Sequence, residues 1–115
     1  MSAIGETLEA LAATIANRRE AGDESYTHRL LTGKDDDLLK KVMEEAGEVA
    51  LAAKDGEVNH LRYESADVIY HLLVVLERYG ISLDDLAAEL NTRMTENERP
   101  SGAETISPEN VNRGK

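Results

Sequence analysis

Five carboxylates stand out by their spacing. Glu44, Glu45 and Glu48 lie within one stretch of helical pattern, and Glu64 and Asp67 lie in the next. On a helix, residues three or four apart share a face. Glu44 therefore neighbours Glu48, Glu45 neighbours Glu48, and Glu64 neighbours Asp67. A turn at Gly56 separates the two stretches and makes them antiparallel partners. Each then presents a carboxylate pair to the same place. An all-oxygen donor set of this kind suits a hard divalent cation, Mg²⁺ first and Mn²⁺ as a substitute. Such an ion can bind phosphate oxygens and neutralise their charge.

Helical glutamates are commonly solvated, and Lys40 and Lys41 stand four residues before Glu44 and Glu45, in register for ordinary ion pairs. Three features set this group apart. Glu44 and Glu48 are like charges one turn apart, an arrangement that destabilises a helix. Gly47 sits between them, where glycine costs roughly 1 kcal/mol relative to alanine. The apolar pattern runs on to Ala53, so Gly47 is no stop signal, and a close backbone or ligand approach is expected there. Finally, Glu64 and Asp67 lead into the most apolar stretch of the chain, where an unpaired charge is very costly. One divalent cation relieves all three.

The histidines narrow the choice of ion. A di-iron bundle uses Glu-x-x-His at three-residue spacing, whereas His71 follows Asp67 by four. His60, Glu64, Asp67 and His71 share one stripe, and His71 is read as a hydrogen-bonded support behind the ligands. Positive charge for phosphate is available at Arg29, Lys34, Lys40 and Lys41. Ser25, Tyr26 and Thr27 add hydroxyl and amide donors just before the second long helix. Glu45 and Glu48 are the candidates for the base that activates water, and the sequence does not choose between them.

The elements that position these groups are all helical. Leu8, Leu11, Ala12 and Ile15 give a first helix over about residues 7–19. Residues 22–37 read as a connection with room for a short turn over 26–31. A second helix starts at Asp36 or Asp37 as its cap and ends at Gly56. A third spans about 58–79, and its apolar run over 68–76 calls for burial on all sides. Ser82 and Asp85 resemble a capping box opening a fourth helix that fades near Thr95. From Asn97 the chain is polar and reads as a loose tail. The fold class is therefore all-α, a four-to-five-helix bundle over residues 1–95 with a tail over 96–115.

The totals set outer limits. The formal net charge of −10 disfavours nucleic acid and anionic membranes as partners. With no cysteine, thiolate metal sites and disulfides are excluded, and a reducing cytoplasm fits. No stretch approaches the ~20 apolar residues of a membrane span. No Trp or Phe is present, and a thin aliphatic core in a chain of 115 residues makes a homodimer a reasonable expectation.

The pattern Glu44-Glu45-x-x-Glu48 followed by Glu64-x-x-Asp67 resembles the signature of the all-α, MazG-like nucleotide pyrophosphohydrolases. Three further words narrow the likeness. Ser25 to Leu31 (SYTHRLL), Lys40 to Gly56 (KKVMEEAGEVALAAKDG) and Tyr63 to Ser82 (YESADVIYHLLVVLERYGIS) are similar to the phosphoribosyl-ATP pyrophosphatases of histidine biosynthesis. The similarity covers roughly residues 7–90. It implies Mg²⁺-dependent hydrolysis of phosphoribosyl-ATP to phosphoribosyl-AMP and pyrophosphate, by a cytoplasmic helical dimer. In the tail, Ser101-Gly102 and Glu104 match that family's ending, while Pro100 and extra acidic residues depart from it. A general NTP or dNTP pyrophosphohydrolase would share the carboxylates. A non-catalytic helical adaptor would leave them solvated.

Overall fold

Aliphatic residues at helical spacing, punctuated by Gly22, Gly33, Gly56 and Gly80, divide the chain into helices with short connections. The computed structural model describes residues 2–110, and those residues contain helices and no strand. The chain divides into two units, the first ending at Gly80 and the second beginning at Ile81.

In the first unit, α1 spans Ile4–Asn17 and runs into a 3-10 turn over Arg18–Glu20. It starts earlier than the apolar pattern suggests, because the Ala3 carbonyl already accepts from the Thr7 amide and Glu6 lies in the first turn, where negative charge is favourable. The connection that follows contains a full helix, α2 (Tyr26–Thr32). Ser25 caps it, its Oγ accepting from the His28 amide at 3.2 Å. Leu30 and Leu31 are buried. The Arg78 guanidinium closes the other end, donating to the carbonyls of Leu30 at 2.9 Å and Gly33 at 2.8 Å. A helix this short depends on such end groups. Ser25→Ala is accordingly expected to lower stability by about 1 kcal/mol, read as a lower urea midpoint with an unchanged slope. An unchanged midpoint would show that the cap carries nothing.

The two long helices are α3 (Asp35–Asp55) and α4 (Val58–Arg78). Asp36 and Asp37 do not cap α3 as the sequence suggested. Lys34 takes the N-cap position without a side-chain bond, and Asp35, Asp36 and Asp37 all lie in the first turn, where they act through charge at the positive helix end. Gly56 has φ 72°. Around it, the Glu57 amide bonds to Ala52 and the Gly56 amide to Ala53, the paired bonds that close a helix and reverse the chain. α3 and α4 thus form an antiparallel hairpin. Ile15, Leu38, Leu73 and Val74, with Leu30, Leu31 and Ala52, make the core. Full burial of the 68–76 stretch does not occur in this chain, since Ile69 and Leu72 are exposed.

In the second unit, α5 spans Leu83–Thr92. Its capping box is complete, Ser82 and Asp85 each accepting from the other's amide at 3.0 Å. Residues 96–110, read from the sequence as a loose tail, return to α5. The Ile106 amide donates to Thr92 Oγ1, Asn91 Nδ2 to the Glu104 carbonyl, and Arg99 Nε to the carbonyls of Asn91 and Met94. The tail expectation for residues 111–115 lies outside the described residues. Among the described residues, no helix is long and apolar enough to cross a membrane.

Candidate metal and phosphate site

The α3–α4 hairpin puts acidic side chains into the interior. Among the described residues, the buried polar side chains are Ser25, Glu45, Glu64 and His71. Ser25 is the cap of α2. Glu45 and Glu64 retain only 8% and 7% of their exposure and His71 only 3%.

Two triads of potential ligands lie side by side. Ligand atoms of Glu45, Asp67 and His71 fall within 4.8 Å of one another, as do those of Glu48, His60 and Glu64. Helix geometry explains which glutamates take part. Glu45 and Glu48, three apart, face α4. Glu44 is turned away, belongs to neither triad, and its side chain is 59% exposed beside Lys41 at 3.9 Å. Gly47 meets no tight neighbour either, since an added Cβ would find nothing within 4 Å in this chain. The close approach expected there is therefore not made within the chain.

The charges inside the site explain its titration. Glu64 is held above the ordinary carboxylate range, chiefly by the neighbouring Glu45 carboxylate and then by burial. Glu45 is held below it, first by the adjoining Glu64 carboxyl and then by Lys41, whose ammonium lies 3.2 Å from Glu45 Oε2. Lys41 is raised in turn by Glu45. His60 Nε2 lies 3.0 Å from Glu64 Oε2, and that carboxylate raises the imidazole. The two neighbouring buried carboxylates titrate as a pair, shifted in opposite directions, with Lys41 and a partly exposed histidine as counter-charges.

One atom is left over. Glu64 Oε1 is buried and has no hydrogen-bond partner among the described residues. A buried carboxylate oxygen without a donor is costly, and a cation removes that cost. The oxygen-rich donor set of Glu45, Glu48, Glu64 and Asp67 therefore fits a hard divalent ion.

The other residues expected at the site divide in two. Tyr26 and Thr27 reach α4. The Tyr26 hydroxyl lies 3.0 Å from His71 Nε2, and Thr27 Oγ1 bonds the Tyr70 hydroxyl. His71 Nδ1 lies 2.9 Å from the Asp67 backbone carbonyl one turn before it. Arg29 instead donates to the Asp23 carbonyl at 2.6 Å and lies over the Tyr26 ring. Among the described residues, Lys34, Lys40 and Arg29 make no ion pair with the carboxylates, and Lys41 alone among the lysines does. His60 was visible in the sequence as part of the stripe, at four residues before Glu64, but carried no assigned role. Its signal was that same spacing.

Comparison with known proteins places the chain in a family. The family described as Phosphoribosyl-ATP pyrophosphohydrolase matches residues 8–94. A phosphoribosyl-ATP pyrophosphatase of Dechloromonas aromatica is 45% identical over 89 residues, covering 76% of this chain and 82% of that protein. The Neisseria gonorrhoeae protein of the same name is 42% identical over 87 residues, 75% and 81% of the two chains. The Haloarcula marismortui one is 41% identical over 92 residues, 77% and 94%. With most of its length matched, and the paired carboxylates of α3 and α4 inside the matched region, the chain belongs to the phosphoribosyl-ATP pyrophosphohydrolase family.

Proposed function

We propose that this chain hydrolyses phosphoribosyl-ATP to phosphoribosyl-AMP and pyrophosphate, the second step of histidine biosynthesis, in the cytoplasm and with Mg²⁺ as its ion. The observation that carries the reading is the pair of buried carboxylates, Glu45 and Glu64, with one oxygen unsatisfied, in a chain of this family.

Glu45, Glu48, Glu64 and Asp67 hold the ion, with Mn²⁺ an acceptable substitute. When bound, the ion neutralises charge on the phosphate oxygens and favours an in-line attack by water. The residues do the remainder. Glu45, kept ionised by the Lys41 ammonium beside it, is suited to accept a proton from water, and Glu48 is the other candidate. Lys41 supplies positive charge beside the cleaved phosphates. Ser25, Tyr26 and Thr27 place the start of α2 against α4 next to Asp67, where it borders the substrate. Arg29, Lys34 and Lys40 are surface cations available to the outer phosphates. Residues 1–95 carry the activity in this reading and 96–115 form the tail.

A second copy completes the molecule. Leu39 and Met43 on α3 and Ile69 and Leu72 on α4 are exposed at the end of the hairpin away from Gly56, Met43 by 77%. Uncovered aliphatic surface of this kind marks an interface, and burial of the remaining sides of the 68–76 stretch then comes from the partner. Met43→Asp is expected to shift the mass in solution from about twice 12.6 kDa to 12.6 kDa, measured by light scattering. A parent chain that already runs as a monomer would sink the dimer.

The activity is tested by following pyrophosphate release from phosphoribosyl-ATP with Mg²⁺ and then with excess EDTA. Release that stops with EDTA, with little release from ATP or dCTP, is the expected result. Equal release from ordinary triphosphates would overturn the named substrate. No release from any of them would overturn the reaction.

A further inference from the structure

His71 offers a ligand atom within 4.8 Å of Glu45 and Asp67, yet both of its ring nitrogens are occupied by protein. The Asp67 backbone carbonyl can only accept, so Nδ1 carries the hydrogen. Nε2 of the neutral ring then has a lone pair, and the Tyr26 hydroxyl donates to it at 3.0 Å. The ring is only 3% exposed and is packed edge-on against Tyr70, with centroids 4.8 Å apart. Tyr26 in turn stacks near Tyr70, at 6.5 Å and 19°. The imidazole thus has little freedom to turn and no free nitrogen to give a cation.

The consequence falls on Tyr26. With its hydrogen committed to His71, the phenol oxygen is an acceptor toward everything else. Its charged surroundings are Lys41, Asp67 and Glu45, the same groups that make up the carboxylate site. Half of the ring remains open to solvent, so water and substrate reach it.

We propose that Tyr26 is a further catalytic residue, its phenol oxygen accepting a hydrogen bond from the attacking water, and that His71 is a positioning residue that fixes this hydroxyl through Nε2 and is not a metal ligand. The inference rests on the carboxylate site being the reaction centre. The hydrogen bond orients the water's second hydrogen while a carboxylate takes the first. The neutral imidazole accepts the phenol's hydrogen, which makes the phenol oxygen a better acceptor without a further charge in the site.

The test uses the full chain and three measurements. Tyr26→Phe removes one oxygen from a half-exposed ring and keeps its stacking on Tyr70. Its kcat is expected to fall about 10- to 100-fold, the size of one hydrogen bond to a charged group, with KM within about threefold and Mn²⁺ affinity by calorimetry unchanged. His71→Gln keeps an acceptor for Tyr26 and is expected to retain more kcat than His71→Leu, with Mn²⁺ affinity unchanged in both. The ¹⁵N shift of His71 Nε2 should stay that of an unprotonated nitrogen when Mg²⁺ is added. Parental kcat in Tyr26→Phe overturns the catalytic role. Loss of Mn²⁺ affinity in both His71 variants, or a Mg²⁺-induced Nε2 shift, overturns the positioning role. Failure of the carboxylate reading is distinct from either, because the parent chain would then bind no Mn²⁺ at all.

Discussion

Glu48→Gln produces a folded helical protein whose pyrophosphate release is at least about a thousandfold slower than the parent's, the scale on which a general base or a ligand to the reacting centre acts. The argument is geometric. Glu48 shares a triad with Glu64 and His60, and it lies one turn from Glu45 on the face of α3 that meets α4. Its side chain is not part of the hydrophobic core, so exchanging an oxygen for an amide leaves the packing alone. Helicity by circular dichroism is therefore expected to be unchanged while turnover disappears. Glu44→Gln provides the comparison within the same helix. Glu44 is solvent-facing and meets only Lys41, and its replacement should cost far less than that of Glu48. Equal losses from the two would mean that the face of α3 has been misassigned. Near-parental turnover in Glu48→Gln would remove the site altogether.

That contrast also shows how far the sequence could be read. Spacing alone placed Glu44, Glu45 and Glu48 together, because all three satisfy some three- or four-residue relation. Choosing among them needs the rotation of α3 about its axis, which Leu38 and Ala52 set by facing the core. The hairpin itself was legible, since Gly56 is the residue that a left-handed helix end favours. The short helix α2 was less so. Seven residues give almost no periodicity, and its ends are secured from a distance by Arg78 on α4. His60 pairs with Glu64 one turn along its own helix, a spacing the sequence carried, but its nearness to Glu48 depends on how α3 and α4 pack. Of the cations read as positive charge for phosphate, Lys41 lies beside the carboxylates. Arg29 is used inside its own loop, on the Asp23 carbonyl and the Tyr26 ring.

Glu64→Gln is expected to raise the melting temperature of the metal-free protein at pH 8 and to abolish its stabilisation by Mn²⁺. The sign follows from the directions of the shifts. Glu64 has a folded-state pKa above its unfolded value because Glu45 is beside it. Ionising it therefore costs more in the folded state, and stability falls as pH rises from the ordinary carboxylate range through that raised value. Glu45, shifted down, contributes the opposite sign, present above its unfolded pKa and lost as pH falls. His60, shifted up by Glu64, stabilises below about 6.5 and loses that contribution as pH rises through its folded value. Above the histidine's raised folded value its help is gone while the carboxylate repulsion remains. The metal-free protein should then be least stable on the alkaline side, where a neutral amide at position 64 removes the repulsion and can donate to Glu45. The parent chain recovers its stability when the cation arrives, by about 2.7 kcal/mol at a hundredfold excess over its dissociation constant. The variant lacks the oxygen that was left unpartnered and gains nothing. Melting curves of both proteins at pH 6 and pH 8, with and without Mn²⁺, separate the possibilities. A variant less stable than the parent at pH 8 without metal would show that Glu64 is held by favourable partners and not by repulsion. A variant stabilised by Mn²⁺ as strongly as the parent would place the ion elsewhere.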